Sequence, residues 1–101
     1  MNEEENYYSE VGNSIEGATK SQMFGKPCFK MGKKAFVCFF QDCMVFKLTG
    51  ENHQEALSFD GSILFDPSGK GRAMKEWVQV PFEYKDTWAQ FAKAAAEYVI
   101  E

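Results

Sequence analysis

Three cysteines and a single histidine are the residues of this chain with the widest range of possible chemistry. Zinc needs four ligands in a tetrahedron, and a thiol nucleophile needs an adjacent base. Cys28, Cys38, Cys43 and His53 contain neither a CxxC pair nor a paired-histidine motif. We therefore predict structural thiols, with no catalytic residue, no metal site and no cofactor. A redox or disulfide role for the cysteines is the alternative.

Two further features of the sequence could form binding or catalytic sites. His53 falls in the first turn of a predicted short helix, where the helix dipole disfavours a positive imidazolium, so we predict a solvated helix residue. Residues 69–72 combine two glycines with Lys70 and Arg72, and backbone amides in such a loop could hold an anion. The loop lacks the spacing of a phosphate-binding P-loop, which favours a flexible loop with solvated charges.

The hairpin that carries Cys38 and Cys43 is apolar on both faces. Strands at 35–40 and 43–48 flank a predicted two-residue turn, so that Phe40 faces Cys43. One face then carries Ala35, Val37, Phe39, Met44, Phe46 and Leu48, and the other carries Phe36, Cys38, Phe40, Cys43, Val45 and Lys47. A sheet in a small domain usually covers one face and leaves the other polar. The second face is therefore predicted to need a partner, more helix or a second copy.

Trp77 lies in a later predicted strand, at 74–80. Met74, Val78 and Val80 share one face of that strand, while Trp77 lies on the other. A large aromatic side chain on a polar face often anchors an interface, although it can equally cover a sheet edge or pack under a loop. The predicted interface consists of Phe36, Cys38, Phe40, Val45, Lys47 and Trp77.

The remaining elements complete an α-β-β-β-α-β-β-α order. A first helix is predicted from Asn2 to Ala18, and a strand follows at 23–31. The short helix after the hairpin has Asn52 and Glu55 at capping-box spacing and Gly61 as its stop. Strands follow at 63–65 and 74–80. The closing helix is predicted to begin at Asp86 or Thr87 and to bury one stripe, formed by Trp88, Phe91, Ala92, Ala95, Tyr98 and Val99.

Length and charge narrow the class of protein. The chain has 101 residues, enough for one domain, which divides into an acidic amino-terminal helix at 1–20 and the region 21–101. Its formal net charge is −4, which disfavours direct nucleic-acid binding. It contains neither an apolar run long enough to span a bilayer nor a secretory signal. We expect a cytoplasmic protein that does not bind membranes.

Several short segments resemble the amino-terminal domain of the TfoX/Sxy family, whose members include regulators of natural competence in bacteria. These are residues 23–25 (Met-Phe-Gly), Gly32 followed by Ala35-Phe36, the strand at 44–48, Phe65, the strand from Met74 through Trp77 to Pro81, and Trp88-Ala89. The resemblance covers residues 21–99. After Gly25 the family commonly continues with glycine, where this chain has Lys26.

The resemblance implies an α+β fold similar to that of type III secretion chaperones, with a mainly antiparallel sheet and helices packed on it. The family offers no catalytic motif to carry over. We therefore expect a non-catalytic protein-interaction or regulatory domain that associates with itself or with another protein. The alternatives are a chaperone-like peptide carrier and a small cysteine-dependent redox protein.

Overall fold

The chain folds into one antiparallel sheet with helices packed on one of its faces. The computed structural model describes residues 2–23, 25–71 and 73–100. The elements are α1 (Glu3–Ser14), β1 (Ala18–Met23), β2 (Lys26–Met31), β3 (Lys34–Phe40), β4 (Cys43–Lys47), α2 (Gly50–Ser58), β5 (Ile63–Phe65), β6 (Met74–Val80), a 3₁₀ segment (Phe82–Thr87) and α3 (Trp88–Ile100). The strand order is β1-β2-β3-β4-β6-β5, and every neighbouring pair is antiparallel. The predicted α+β class and helix–strand arrangement are confirmed, with one additional strand.

That additional strand is β1, and the helix before it is shorter than predicted. The Asn2 side chain caps α1 by accepting a hydrogen bond from the backbone N–H of Glu5, at 2.8 Å. The helix ends at Ser14, and Gly17, with φ of +87°, turns the chain into β1. The polar run that follows is a strand that pairs with β2. A polar edge strand leaves no apolar alternation in the sequence, so the residue pattern alone does not predict it.

The β3–β4 hairpin has the predicted two-residue turn. Gln41 and Asp42 adopt positive φ values of 50° and 63°, the signature of a type I′ turn, and Phe40 pairs with Cys43. The left-handed conformation is normally occupied by asparagine or glycine in such turns. Gln41 and Asp42 therefore introduce some local backbone strain at the turn that joins the two strands.

A β-bulge at Phe36 changes which side chains share a face. Phe29 pairs with Val37 while Lys30 pairs with Ala35, so β3 has one extra residue between them. Phe36 and Val37 both join the core beneath the helices, and Ala35 packs against the opposite face. The prediction that Phe36 lies on the outer face was wrong, because strict alternation fails where a residue is inserted into the ladder.

The main core lies between the sheet and the three helices. Its contributors from α3 are Trp88, Phe91, Ala92, Ala95, Ala96 and Val99, which confirms the predicted stripe except for Tyr98, which is half-buried. The 3₁₀ segment reaches Thr87, so α3 begins at Trp88. The hydroxyl of Thr87 donates to the carbonyl of Tyr84 at 2.7 Å instead of capping α3.

The capping of α2 also differs from the prediction. The helix begins at Gly50 with Thr49 as its N-cap residue, and Thr49 makes no side-chain capping bond. Asn52 and Glu55 therefore lie inside the helix, and the predicted capping box does not form. The helix ends at Ser58, and Gly61, with φ of +91°, turns the chain toward β5.

Candidate protein-interaction surface

The predicted interface residues do not form one exposed patch. Cys38, Val45 and Trp77 are buried on the face of the sheet that the helices leave open. Phe36 is fully buried on the helix face. Phe40 and Lys47 are half-buried. The Lys47 ammonium extends toward α3, where it lies 6.0 Å from the centre of the Tyr98 ring.

Side chains of the same chain cover this second face. We call the buried group there the outer cluster; it consists of Cys28, Cys38, Val45, Phe65 and Trp77, with Met23, Ala35, Phe40 and Met74 packed against it. Phe65 is completely buried, and its ring meets that of Phe40 edge to face with 5.2 Å between the ring centres. The second apolar face of the hairpin is thus buried by residues of the same chain.

The backbone amides of the glycine-rich loop already bind the side chain of Asp66. The carboxylate of Asp66 accepts hydrogen bonds from the backbone N–H groups of Ser68, Gly69 and Gly71, at 3.2, 3.1 and 2.9 Å. It also accepts one from the Ser68 hydroxyl at 2.8 Å. An incoming anion would have to displace this carboxylate, because these amides already hold a negative charge. Arg72 lies outside the described residues.

The three cysteines and the histidine lie in different surroundings and do not form a common site. Burial raises the pKa of all three thiols above the ordinary value, most strongly for Cys38. Cys43 accepts a hydrogen bond from the side-chain amide of Gln79 at 3.6 Å. His53 does not stand free in solvent: its Nε2 donates to the backbone carbonyl of Lys75 at 2.8 Å and ties α2 to β6.

Metal ligands are not gathered anywhere in the described part of the chain. Across residues 2–23, 25–71 and 73–100, no three His, Cys, Asp or Glu side chains form a group that could hold a metal ion. Cys28 and Cys38 do meet, as direct partners across β2 and β3. The sequence could not indicate this pairing, because the bulge at Phe36 sets the register between the two strands.

The two edges of the sheet differ in length and in protection. β5 is three residues long, has an irregular register against β6, and is followed by Asp66 and Pro67. β1 is six residues long and pairs with β2 in continuous register. Among the described residues, no other strand pairs with its outer side. Thr19, Lys20 and Gln22 are exposed along it.

A cavity of about 160 Å³ lies beside this edge, between α1 and the first two strands. Its walls include Glu5, Tyr8 and Ser9 of α1, Lys20 and Ser21 of β1, and Cys28 of β2. Tyr8 is buried, and its hydroxyl finds no hydrogen-bond partner in the described structure. Burial also raises the pKa of this phenol above its ordinary value of 10.0.

These features define a small α+β domain with an antiparallel sheet, a self-covered outer face and one long free edge. Comparison with family models, with curated proteins and with solved structures finds no match to the chain. The resemblance to the TfoX/Sxy amino-terminal domain therefore stays a prediction. Within the described residues, no helix has the length and apolar character needed to cross a bilayer.

Proposed function

We propose that this chain is a non-catalytic, cytoplasmic protein-interaction domain of the TfoX amino-terminal type, which self-associates through the free edge of β1. The observation that carries the proposal is that, within residues 2–23, 25–71 and 73–100, no strand pairs with the outer side of that six-residue strand. An edge strand presents a row of backbone N–H and C=O groups that another strand can pair with. Since the outer cluster is covered, the edge replaces the hairpin face as the contact surface.

β1 has few of the features that usually block edge pairing. Its register contains no bulge, its sequence contains no proline, and Lys20 is its one charged residue. The opposite edge at β5 is short and ends at Asp66-Pro67, which restricts strand addition there. The difference between the two edges favours a single pairing surface, which closes a dimer instead of building an open fibre.

Symmetry limits how two copies of β1 can pair. A two-fold axis perpendicular to the sheet keeps the helices of both copies on one side and makes one residue face itself. Centring the axis on Ser21 places Lys20 opposite Gln22 of the second copy, and Thr19 opposite its Met23. Centring it on Lys20 would place two ammonium groups directly opposite each other, which is destabilising. Of these two registers, we therefore propose the one centred on Ser21.

The test uses two substitutions at Gln22, an exposed residue. Gln22→Lys places a second positive charge opposite Lys20 of the other copy, twice per dimer, whereas Gln22→Glu places a carboxylate there. We expect weaker association for Gln22→Lys and tighter association for Gln22→Glu, with both differences reduced by salt. Sedimentation velocity from low to high micromolar concentration measures the dimer fraction.

The possible results distinguish self-association, its register and peptide binding. A wild-type chain that stays monomeric over that range overturns self-association. A dimer that responds equally to both substitutions overturns the β1 register. The chaperone-like carrier would instead be supported if the monomer bound an extended peptide and the Thr19→Pro substitution in β1 abolished that binding.

The buried thiols bear on the remaining alternative. A redox enzyme that acts on other molecules needs an accessible thiol with a lowered pKa. Here burial raises the pKa of Cys28, Cys38 and Cys43, and the first two have almost no exposed surface. This environment favours the interaction domain over a small cysteine-dependent redox protein.

A further inference from the structure

Cys28 and Cys38 face each other across two neighbouring strands. They are direct Cα partners in the β2–β3 ladder, and both are free thiols in the outer cluster. Residues directly opposite in antiparallel strands have Cα atoms about 4.5–5.5 Å apart. A disulfide requires a Cα separation of about 4.4–6.8 Å. The backbone already holds this pair at a distance that a disulfide can bridge.

Cys28 and Cys38 are 1% and 0% exposed, and of the two only Cys28 borders a described cavity. It lines the cavity between α1 and the first two strands, and the exposed Lys20 lies in the wall of the same cavity. Cys38 is completely buried and lines none of the described cavities.

We propose that Cys28 and Cys38 are a modification site, and that they form a reversible disulfide when the folded protein is exposed to hydrogen peroxide. Ionised Cys28 attacks one peroxide oxygen and releases hydroxide, which leaves a sulfenic acid on Cys28. Cys38 loses its proton and attacks the Cys28 sulfur, and the sulfenic oxygen leaves as water. The balance is two thiols and one peroxide giving one disulfide and two waters, with the electrons passing to peroxide.

Local charges assign the order of attack. Lys30 and a hydrogen bond from Ser21 both favour the ionised form of Cys28, partly offsetting the effect of its burial. No such partner acts on Cys38 in the described part of the chain, and the neighbouring Cys28 disfavours its ionisation further. Cys28 is therefore the attacking sulfur and Cys38 the resolving one. Since the reactive species is the thiolate, the rate should rise with pH.

The experiment treats the folded full-length chain with hydrogen peroxide, quenches with catalase, unfolds it in alkylating reagent and maps the three cysteines by peptide mass spectrometry. We expect joint loss of two of the three alkylatable thiols, and one peptide that links Cys28 to Cys38. Dithiothreitol should restore both thiols. Cys43 should form no disulfide and serves as the internal control, since it pairs with Phe40 and not with a cysteine.

Two variants sharpen the result. Cys43→Ala should leave the linked peptide unchanged, whereas Cys38→Ala should abolish it and leave a sulfenic acid on Cys28 that dimedone traps. The wild-type map decides the matter even if a variant folds poorly. Retention of all three thiols in the folded protein, a link that involves Cys43, or a Cys28–Cys38 link that forms only in urea would each overturn the proposal.

Discussion

Gly12 of α1 lies directly against the ring of Phe29 on β2. A Cβ atom at Gly12 would overlap three carbons of that ring. Gly12 and Phe29 are both buried, so neither the helix nor the strand can yield toward solvent. A glycine that weakens a helix locally thus allows α1 to approach the sheet closely.

Replacing Gly12 by alanine should destabilise the protein despite the higher helix propensity of alanine. Propensity favours alanine by about 1 kcal/mol, whereas overpacking costs about 1–3 kcal/mol or more, and this overlap belongs at the upper end. We expect Gly12→Ala to lower the free energy of unfolding by roughly 2 kcal/mol in urea titrations. Asn13→Ala, at the exposed neighbouring position, is the control and should leave stability unchanged or slightly higher. Equal stability of both variants would contradict the close approach.

Phe65→Ala tests whether the chain itself covers the outer face. The fully buried ring packs on Phe40, so its removal should cost about 3–5 kcal/mol and expose apolar surface to a dye such as ANS. Ile63→Ala, two residues earlier on β5, is the matched control because Ile63 is 53% exposed. It should change stability by about 0.5 kcal/mol at most. A Phe65→Ala variant no less stable than the Ile63→Ala variant would show that another element covers the face.

Asp66→Ala should loosen the loop that follows β5. The substitution removes the acceptor for the N–H groups of Gly69 and Gly71. Hydrogen bonds to a charged group contribute about 1.5–3 kcal/mol each, so we expect local opening to increase roughly tenfold or more. Trypsin cleavage after the exposed Lys70 and hydrogen exchange at Gly69 and Gly71 measure that opening.

The control for this loop is Asp60→Ala. Asp60 accepts a hydrogen bond through its backbone carbonyl, from Tyr84, which the substitution preserves. Its cleavage rate at Lys70 should therefore equal that of the wild type. If Asp66→Ala also left the rate unchanged, the Asp66 carboxylate would not be what orders the loop.

Stability should fall steeply in alkali. Burial raises the pKa of the Tyr8 phenol and the Cys38 thiol above their ordinary values of 10.0 and 9.0. Both groups therefore stay protonated in the folded protein at a pH where they ionise in the unfolded chain. Their contribution is full below the unfolded pKa values and is lost as pH rises above them, by about 1.4 kcal/mol per pH unit for each group. Urea titrations across the alkaline range measure the slope.

Tyr8→Phe isolates the phenol in that experiment. The substitution removes one ionisable group, so the alkaline slope should become shallower. Because the Tyr8 hydroxyl has no partner in the described structure, the variant should be at least as stable as the wild type near neutral pH. Tyr98→Phe is the control and should lower stability, since the Tyr98 hydroxyl donates to the carboxylate of Glu76. An unchanged slope in Tyr8→Phe would argue against the burial of this phenol.

Local patterns predicted most of the elements but not their boundaries. The stripe on α3 and the turn at Gln41-Asp42 were predictable, because each depends on spacing within a few residues. β1 was not predictable, since an edge strand with both sides partly in solvent needs no apolar alternation. The capping box at Asn52 matched a pattern, yet the helix began two residues earlier at Gly50.

The sequence by itself determined the class of the protein: one α+β domain, an apolar hairpin and a closing amphipathic helix. These features follow from the spacing of apolar residues, which matches the period of a strand or a helix. Tertiary structure alone decided how the second apolar face is buried. One inserted residue at Phe36 moved that ring to the helix face and brought Cys28 opposite Cys38, and Phe65 closed over the outer cluster. Strand register and cover depend on contacts between distant segments, which no local spacing encodes.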